Sequence, residues 1–228
     1  METGFDVGEA ASHRNEIITY ILNGISNKLP LKEKDMSATL NIKGRMFNVA
    51  FQQAKLALQE TYGIVVTDVP DTRSGKAFIC YNEDAAKCHL LYDEDQLRQL
   101  TLLFIVLSYL FMRGSDAPDK NSTTEEDLIH FLSGLRITFD SCHEYFGANV
   151  KKLLTETFVK QLYLKRDKVI SDIDAETKFY YSWGYRAHVE FDKKLVFEST
   201  AKILKKPTKI FVAKYKEIYG DDENQMQE

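Results

Sequence analysis

The run Leu100–Met112, LTLLFIVLSYLFM, constrains this chain more than any other segment. It is apolar nearly all round, so as a helix it must be buried in a core or covered by another chain. At 13 residues it falls short of the ~20 needed to span a bilayer. A core helix needs a folded domain around it, and the composition supplies one. Of the 228 residues, 44% are hydrophobic, 12% are aromatic and only four are proline, which excludes a disordered or low-complexity chain. The length suits one large domain or two small ones.

Periodicity gives the layout. Ser12 is positioned to cap a helix to Lys28, with Ile17, Ile18, Ile21, Leu22 and Ile25 on one stripe. A second small helix fits within Leu31–Leu40. A third fits about Gly44 to Tyr62, with Phe47, Ala50, Phe51, Ala54 and Leu58 inward and Gly63 at the left-handed C-cap. Two β-rich runs follow, Ile64–Val69 and Ala77–Tyr81, around the turn Pro70–Lys76. Three helices and a hairpin in that order describe a winged helix. After an acidic linker the plan repeats. A helix over Gln96–Met112 leads into a polar loop, Ser115–Ser122, and then a helix capped by Thr123 or Thr124 and running to Leu132. A third helix fits Thr155–Lys165, and the runs Lys168–Ser171 and Lys178–Trp183 flank an acidic turn. Two helices close the chain, roughly His188–Leu204 and Pro207–Tyr219.

The expected fold is therefore mainly α with small β-hairpins (α+β), as two tandem winged-helix units. The domain layout is a flexible N-terminus over 1–11, a first unit over 12–82 and a linker over 83–95. A second unit with C-terminal helices spans 96–220, and an acidic tail closes the chain at 221–228.

The net charge of −4 hides an asymmetry. Residues 1–150 carry 14 Lys/Arg against 21 Asp/Glu, a balance of −7; residues 151–220 carry 16 against 9, a balance of +7. The positive charge centres on the third helix, wing and C-terminal helices of the second unit. Lys151, Lys152, Lys160, Lys165, Arg166 and Lys168 cluster about that third helix, the usual groove-entering element of a winged helix. They are candidate contacts to double-stranded DNA through its phosphates, against the plain alternative of a solvated helix face. The Leu100–Met112 helix has the two alternatives stated above, own core or partner surface.

Enzyme chemistry has little to stand on. No Walker loop, dinucleotide glycine fingerprint, HExxH or GxSxG occurs. Cys80, Cys88 and Cys142, an odd set without an export signal, read as reduced thiols. Cys88-His89 and Cys142-His143 lack the tight spacing of zinc ligands. The expectation is no catalytic residue, no metal, no cofactor and no membrane contact.

Ordered motifs in both units resemble the MAGE homology domain family, over about residues 17–205. Leu102-Leu103-Phe104 through Phe111-Met112-Arg113-Gly114 resembles its LLxxxLxxIFMKG segment. Phe146-Gly147 with Lys151–Glu156 and Tyr163-Leu164 resembles FGxPKKLLTEDxVxxxYL, and Tyr180–Ala187 resembles YEFxWGPRA. Pro30–Met36 and Ala57–Val69 are similar to PIKRADM and VFGxxLxEV. Tyr185 stands where the signature has proline, and Ala148-Asn149-Val150 replaces a shorter, proline-containing link. The resemblance implies two winged-helix units and a non-catalytic protein that binds and modulates a RING-type ubiquitin ligase, with the dileucine Leu102-Leu103 at the RING contact. In the branch serving the five/six-type structural-maintenance-of-chromosomes complex it further implies a kleisin partner, double-stranded DNA, DNA repair and a nuclear, chromosomal location. The alternative is a ligase adaptor that selects substrates without a DNA role.

Overall fold

The structure, a computed structural model, describes residues 7–70, 75–82, 93–113, 122–170 and 177–220. The chain divides into two units, Met1–Tyr92 and Asp93–Glu228, and each is described by itself. Residues 83–92 of the expected linker over 83–95, residues 115–121 of the loop expected over 115–122, the turn 172–176 and the tail 221–228 lie outside the described residues.

In the first unit, α1 (Val7–Gly24) packs on α3 (Gly44–Tyr62), and α2 (Glu33–Leu40) completes the helical layer. The inward residues of α3 are Phe47, Ala50, Phe51, Ala54 and Leu58, matching the helical spacing read from the sequence. Gly63 ends α3 at φ 65° and donates its N–H to the Gln59 carbonyl at 3.1 Å, a conformation that costs glycine little. Strands β2 (Ile64–Asp68) and β3 (Ala77–Asn82) pair antiparallel, and a two-residue strand, β1 (Leu31–Lys32), adds to β3 with Leu31 opposite Phe78. Helix α1 begins at Val7, not Ser12, and Ala10 is already buried within it. Residues 7–11 therefore belong to the fold, and the flexible N-terminus expected over 1–11 is too long.

The second unit is built around α4 (Glu94–Arg113). Its start lies two residues before Gln96 because Asp93 and Gln96 form a reciprocal cap. The Asp93 carboxylate accepts from the Gln96 N–H at 2.7 Å, and the Gln96 side chain accepts from the Asp93 N–H at 3.3 Å. Thr124, on β4 (Thr123–Thr124), caps α5 (Glu125–Gly134) by accepting from the Asp127 N–H at 3.1 Å. A two-stranded ribbon, β5 (Cys142–His143) with β6 (Ala148–Asn149), precedes the third helix.

That third helix differs from the expectation at both ends. It starts at α6 (Val150–Lys152), capped by Asn149, which accepts from the Lys152 N–H at 2.9 Å. It continues through a π-helical turn, Leu153–Thr157, and ends in α7 (Phe158–Lys160). Leu162 turns the chain at φ 64°. Lys165, Arg166 and Lys168 then fall on strand β7 (Leu164–Ile170), not on the helix. Strand β8 (Thr177–Trp183) pairs with β7 throughout and with β4 on its other side, giving the order β4-β8-β7.

The closing helices are α8 (Tyr185–Glu190), α9 (Lys193–Ile203) and α10 (Val212–Tyr219). The single helix expected over His188–Leu204 is interrupted because Asp192 starts a new one, accepting from the Lys194 N–H at 2.8 Å. Tyr185 occupies the first turn of α8, where proline is tolerated but not needed. The two-winged-helix reading is borne out in both units.

Gly184, between β8 and α8, packs against the turn that follows the third helix. Its N–H donates to the Tyr163 carbonyl at 2.8 Å. A Cβ built there would stand 2.3 Å from the Leu162 carbonyl oxygen, which is backbone and cannot swing away. Gly184→Ala is expected to destabilise the second unit by about 1–3 kcal/mol, read as a lower urea midpoint at unchanged m-value. An unaltered midpoint would show that the close approach is not maintained.

Candidate partner and nucleic-acid surfaces

Helix α4 runs through the core of the second unit. Leu102, Leu103, Val106, Leu107, Leu110 and Phe111 are all at most 1% exposed. The indole N–H of Trp183 donates to the Leu107 carbonyl at 2.9 Å, and its ring lies 6.0 Å from that of Phe111. The dileucine proposed for a RING contact is therefore inside this chain's own core. On the other face of α4, Thr101 is exposed and Leu97, Phe104, Ile105 and Met112 are half-buried. Among the described residues, no helix is long and apolar enough to cross a membrane.

The six candidate DNA contacts fall into three groups. Lys152 and Lys168 are exposed and have no acidic partner among the described residues. Lys151, Lys160 and Lys165 are exposed but paired, with Asp140 at 2.7 Å, Glu156 at 3.1 Å and Asp167 at 2.7 Å. Such exposed pairs contribute about 0–1 kcal/mol, so a phosphate can compete for these lysines. Arg166 is different. Its guanidinium meets the Glu125 carboxylate at 2.7 Å and stacks 3.5 Å from the Phe179 ring centroid, and the Tyr181 hydroxyl donates to the same carboxylate at 2.9 Å. Burial and the adjacent Glu125 carboxylate raise the Tyr181 pKa. Arg166 is committed to the sheet and α5, so it is a structural cation here.

The WGYRA segment assembles a second buried ion group. Arg186 is 1% exposed, donates through Nε to the Gln161 carbonyl at 2.8 Å and pairs with Glu190 at 2.7 Å. The Tyr163 hydroxyl donates to the other oxygen of Glu190 at 2.6 Å. At the far end of α4, Arg113 reaches Asp127 at 2.9 Å, the Thr123 hydroxyl at 2.6 Å and the Tyr109 hydroxyl at 2.8 Å. The Thr124 hydroxyl, ahead of Arg113, holds the Asp127 carboxyl below its ordinary value, against the opposing effect of burial.

Cys80 is buried and Cys142 exposed, and no group of three or more metal-ligating side chains occurs among the described residues. Cys88 and His89 lie outside them.

Two ordered elements, the core helix α4 and the buried WGYRA corner, coincide with a known family. The MAGE homology domain matches residues 82–194. The chain carries a MAGE homology domain over these residues. It is 28% identical to human melanoma-associated antigen D2 over 219 residues, 95% of this chain but 34% of that protein. It is 26% identical to the human non-structural maintenance of chromosomes element 3 homolog over 211 residues, 92% of this chain and 66% of that protein. This MAGE domain chain thus spans about a third of the first relative and about two thirds of the second. A chain of the solved Nse1-Nse3-Nse4 complex matches with a TM-score of 0.79 at 28% identity, covering 94% of this chain and 99% of that one.

Because the Asp127 pKa is lower folded than its ordinary 3.8, its contribution is present above that value and is lost as pH falls through the folded value. Asp127→Asn should flatten the acid limb of the urea stability curve below about pH 4 while lowering stability at neutral pH. An unchanged acid limb would show that the Thr124–Asp127–Arg113 group carries none of the pH dependence.

Proposed function

We propose that this chain is a non-catalytic scaffold subunit that binds a RING-type ubiquitin ligase and a kleisin in a chromosome-maintenance complex and contacts double-stranded DNA. The observation that carries the reading is the whole-chain likeness to a chain of the Nse1-Nse3-Nse4 complex, supported by the element 3 homolog among its relatives. The reading places the protein in the nucleus, on chromosomes. The similar identity to melanoma-associated antigen D2 supports a second reading, a ligase adaptor with no DNA role. Mass spectrometry of natively purified complexes separates the two. Kleisin and other chromosome-complex subunits are expected; a ligase with substrates alone would favour the adaptor.

Within the scaffold reading, Leu102 and Leu103 position α4 for the RING partner from below the surface. Each Leu→Ala change in such a core costs about 2–5 kcal/mol, a large part of a domain's ~5–15 kcal/mol. A doubly substituted unit is then at risk of losing its partner by unfolding. Thr101→Arg, on the exposed face, is the cleaner probe. It should abolish co-purification with a co-expressed RING subunit at unchanged thermal midpoint, and retained binding would remove α4 from the interface.

For DNA, the supporting feature is the open pair Lys152 and Lys168 beside three exchangeable lysines. Affinity for a duplex should fall steeply with salt, and Lys152→Glu with Lys168→Glu should weaken binding and reduce the log–log salt slope by about 1 per lost contact. Arg166→Ala should lower the thermal midpoint more than it lowers DNA affinity. A wild-type protein with no salt-dependent duplex binding would end the DNA assignment.

A further inference from the structure

The corner where α9 turns into α10 is unlike the rest of the surface. Every residue from Lys202 to Pro207 is exposed. Ile203 is 67% exposed, Leu204 52%, Ile210 57% and Val212 60%, four large aliphatic side chains within ten residues of chain. Leu195, two turns earlier on α9, is 60% exposed and shares a face with Lys202. Apolar side chains at this density on a soluble surface mark a contact site.

The same stretch is cationic. From Ser199 to Lys216 the sequence holds six lysines and no acidic residue. Lys202, Lys205, Lys206 and Lys209 are exposed, and none has an acidic partner among the described residues. The nearby acids of α9 and α10 are already used. Glu198 accepts from the Tyr219 hydroxyl, which is thereby held up to about 12. Glu217 takes the buried Lys214 at 2.7 Å.

The corner is also held by backbone hydrogen bonds and an aromatic floor. Lys205, at φ 52°, closes α9, and the Lys206 N–H returns to the Ala201 carbonyl at 3.0 Å. Underneath, the Phe197 ring lies 6.1 Å from Phe211 and 6.4 Å from Tyr219. The exposed side chains are thus presented by a fixed backbone, which lowers the ordering cost of binding.

We propose that this α9–α10 corner docks an acidic amphipathic helix of a partner protein. Its apolar face covers Ile203, Leu204, Ile210 and Val212, and its carboxylates meet the four free lysines. Duplex DNA would satisfy the lysines but leave the aliphatic side chains without apolar cover. A membrane-surface element segregates its apolar and basic residues onto opposite faces, whereas here they interleave along one exposed stretch. The inference rests on the scaffold reading only for the existence of a protein partner.

The test is fluorescence anisotropy of the whole chain with a labelled Leu/Glu amphipathic peptide of about 18 residues, five helical turns. A Ser/Glu peptide of equal charge, a DNA duplex and phosphatidylserine-containing vesicles serve as the other probes. Saturable binding of the Leu/Glu peptide is expected. Ile203→Ser with Ile210→Ser, and separately Lys205→Glu with Lys206→Glu, should each weaken it about tenfold or more. All four positions are exposed, so thermal unfolding should stay unchanged. Equal binding of the Ser/Glu peptide would overturn the proposal, as would no saturable peptide binding. So would loss of duplex or vesicle binding in the same variants with the peptide unaffected. Partner co-purification that survives any of these failures would leave the scaffold reading standing alone.

Discussion

A buried guanidinium holds the second unit together. Arg186 sits at 1% exposure with its charge returned by Glu190 and its Nε bound to the Gln161 carbonyl. An unpaired charge there would be strongly destabilising, so every partner must be in place at once. Those partners come from the end of the third helix, the start of β7 and α8, and the approach requires a residue without a side chain at Gly184. Trp183, next to that glycine, then fixes α4 through the Leu107 carbonyl. The position of α4, the direction of the hairpin and the start of the C-terminal helices all follow from one satisfied ion group.

This arrangement separates what folds the unit from what it offers to others. The most apolar segment of the chain is spent inside, and its dileucine is core. The strongest cation of the hairpin is likewise spent, between Glu125 and Phe179. What remains outside is a thin face of α4, a set of loosely held lysines and the α9–α10 corner. These exposed residues contribute little to stability, so substitutions there report on binding and not on folding.

Local sequence was informative where one residue decides one conformation. Gly63, the inward face of α3 and a threonine cap at Thr123 or Thr124 are all readable without coordinates, and the structure selects Thr124. Thr155 misled because its hydroxyl has two uses. A threonine at the start of the expected third helix has the side chain of a cap, but it donates back to the Lys151 carbonyl at 2.8 Å inside the helix. Asn149 was the true cap and carried the right side chain for it. The helix end was not legible, since Leu162 takes a left-handed conformation without being glycine or asparagine. The family resemblance located the dileucine but could not show its burial. Arg166 could not have been recognised as structural, because Glu125 lies 41 residues away in sequence. The capping box at Asp93 and Gln96, by contrast, is local enough to be legible in the sequence.

The strand order of the second unit has a further consequence. Strand β7 is the last in the β4-β8-β7 sheet, so one row of its backbone N–H and C=O groups has no neighbouring strand among the described residues. An open edge of this kind is a template for pairing with another copy. Lys165, Asp167 and Lys168 lie along it, and a charged edge repels a second identical strand. The lysines considered for nucleic acid therefore lie on an edge whose charge disfavours edge-to-edge pairing, and a chain that lost them would be more prone to aggregate through it.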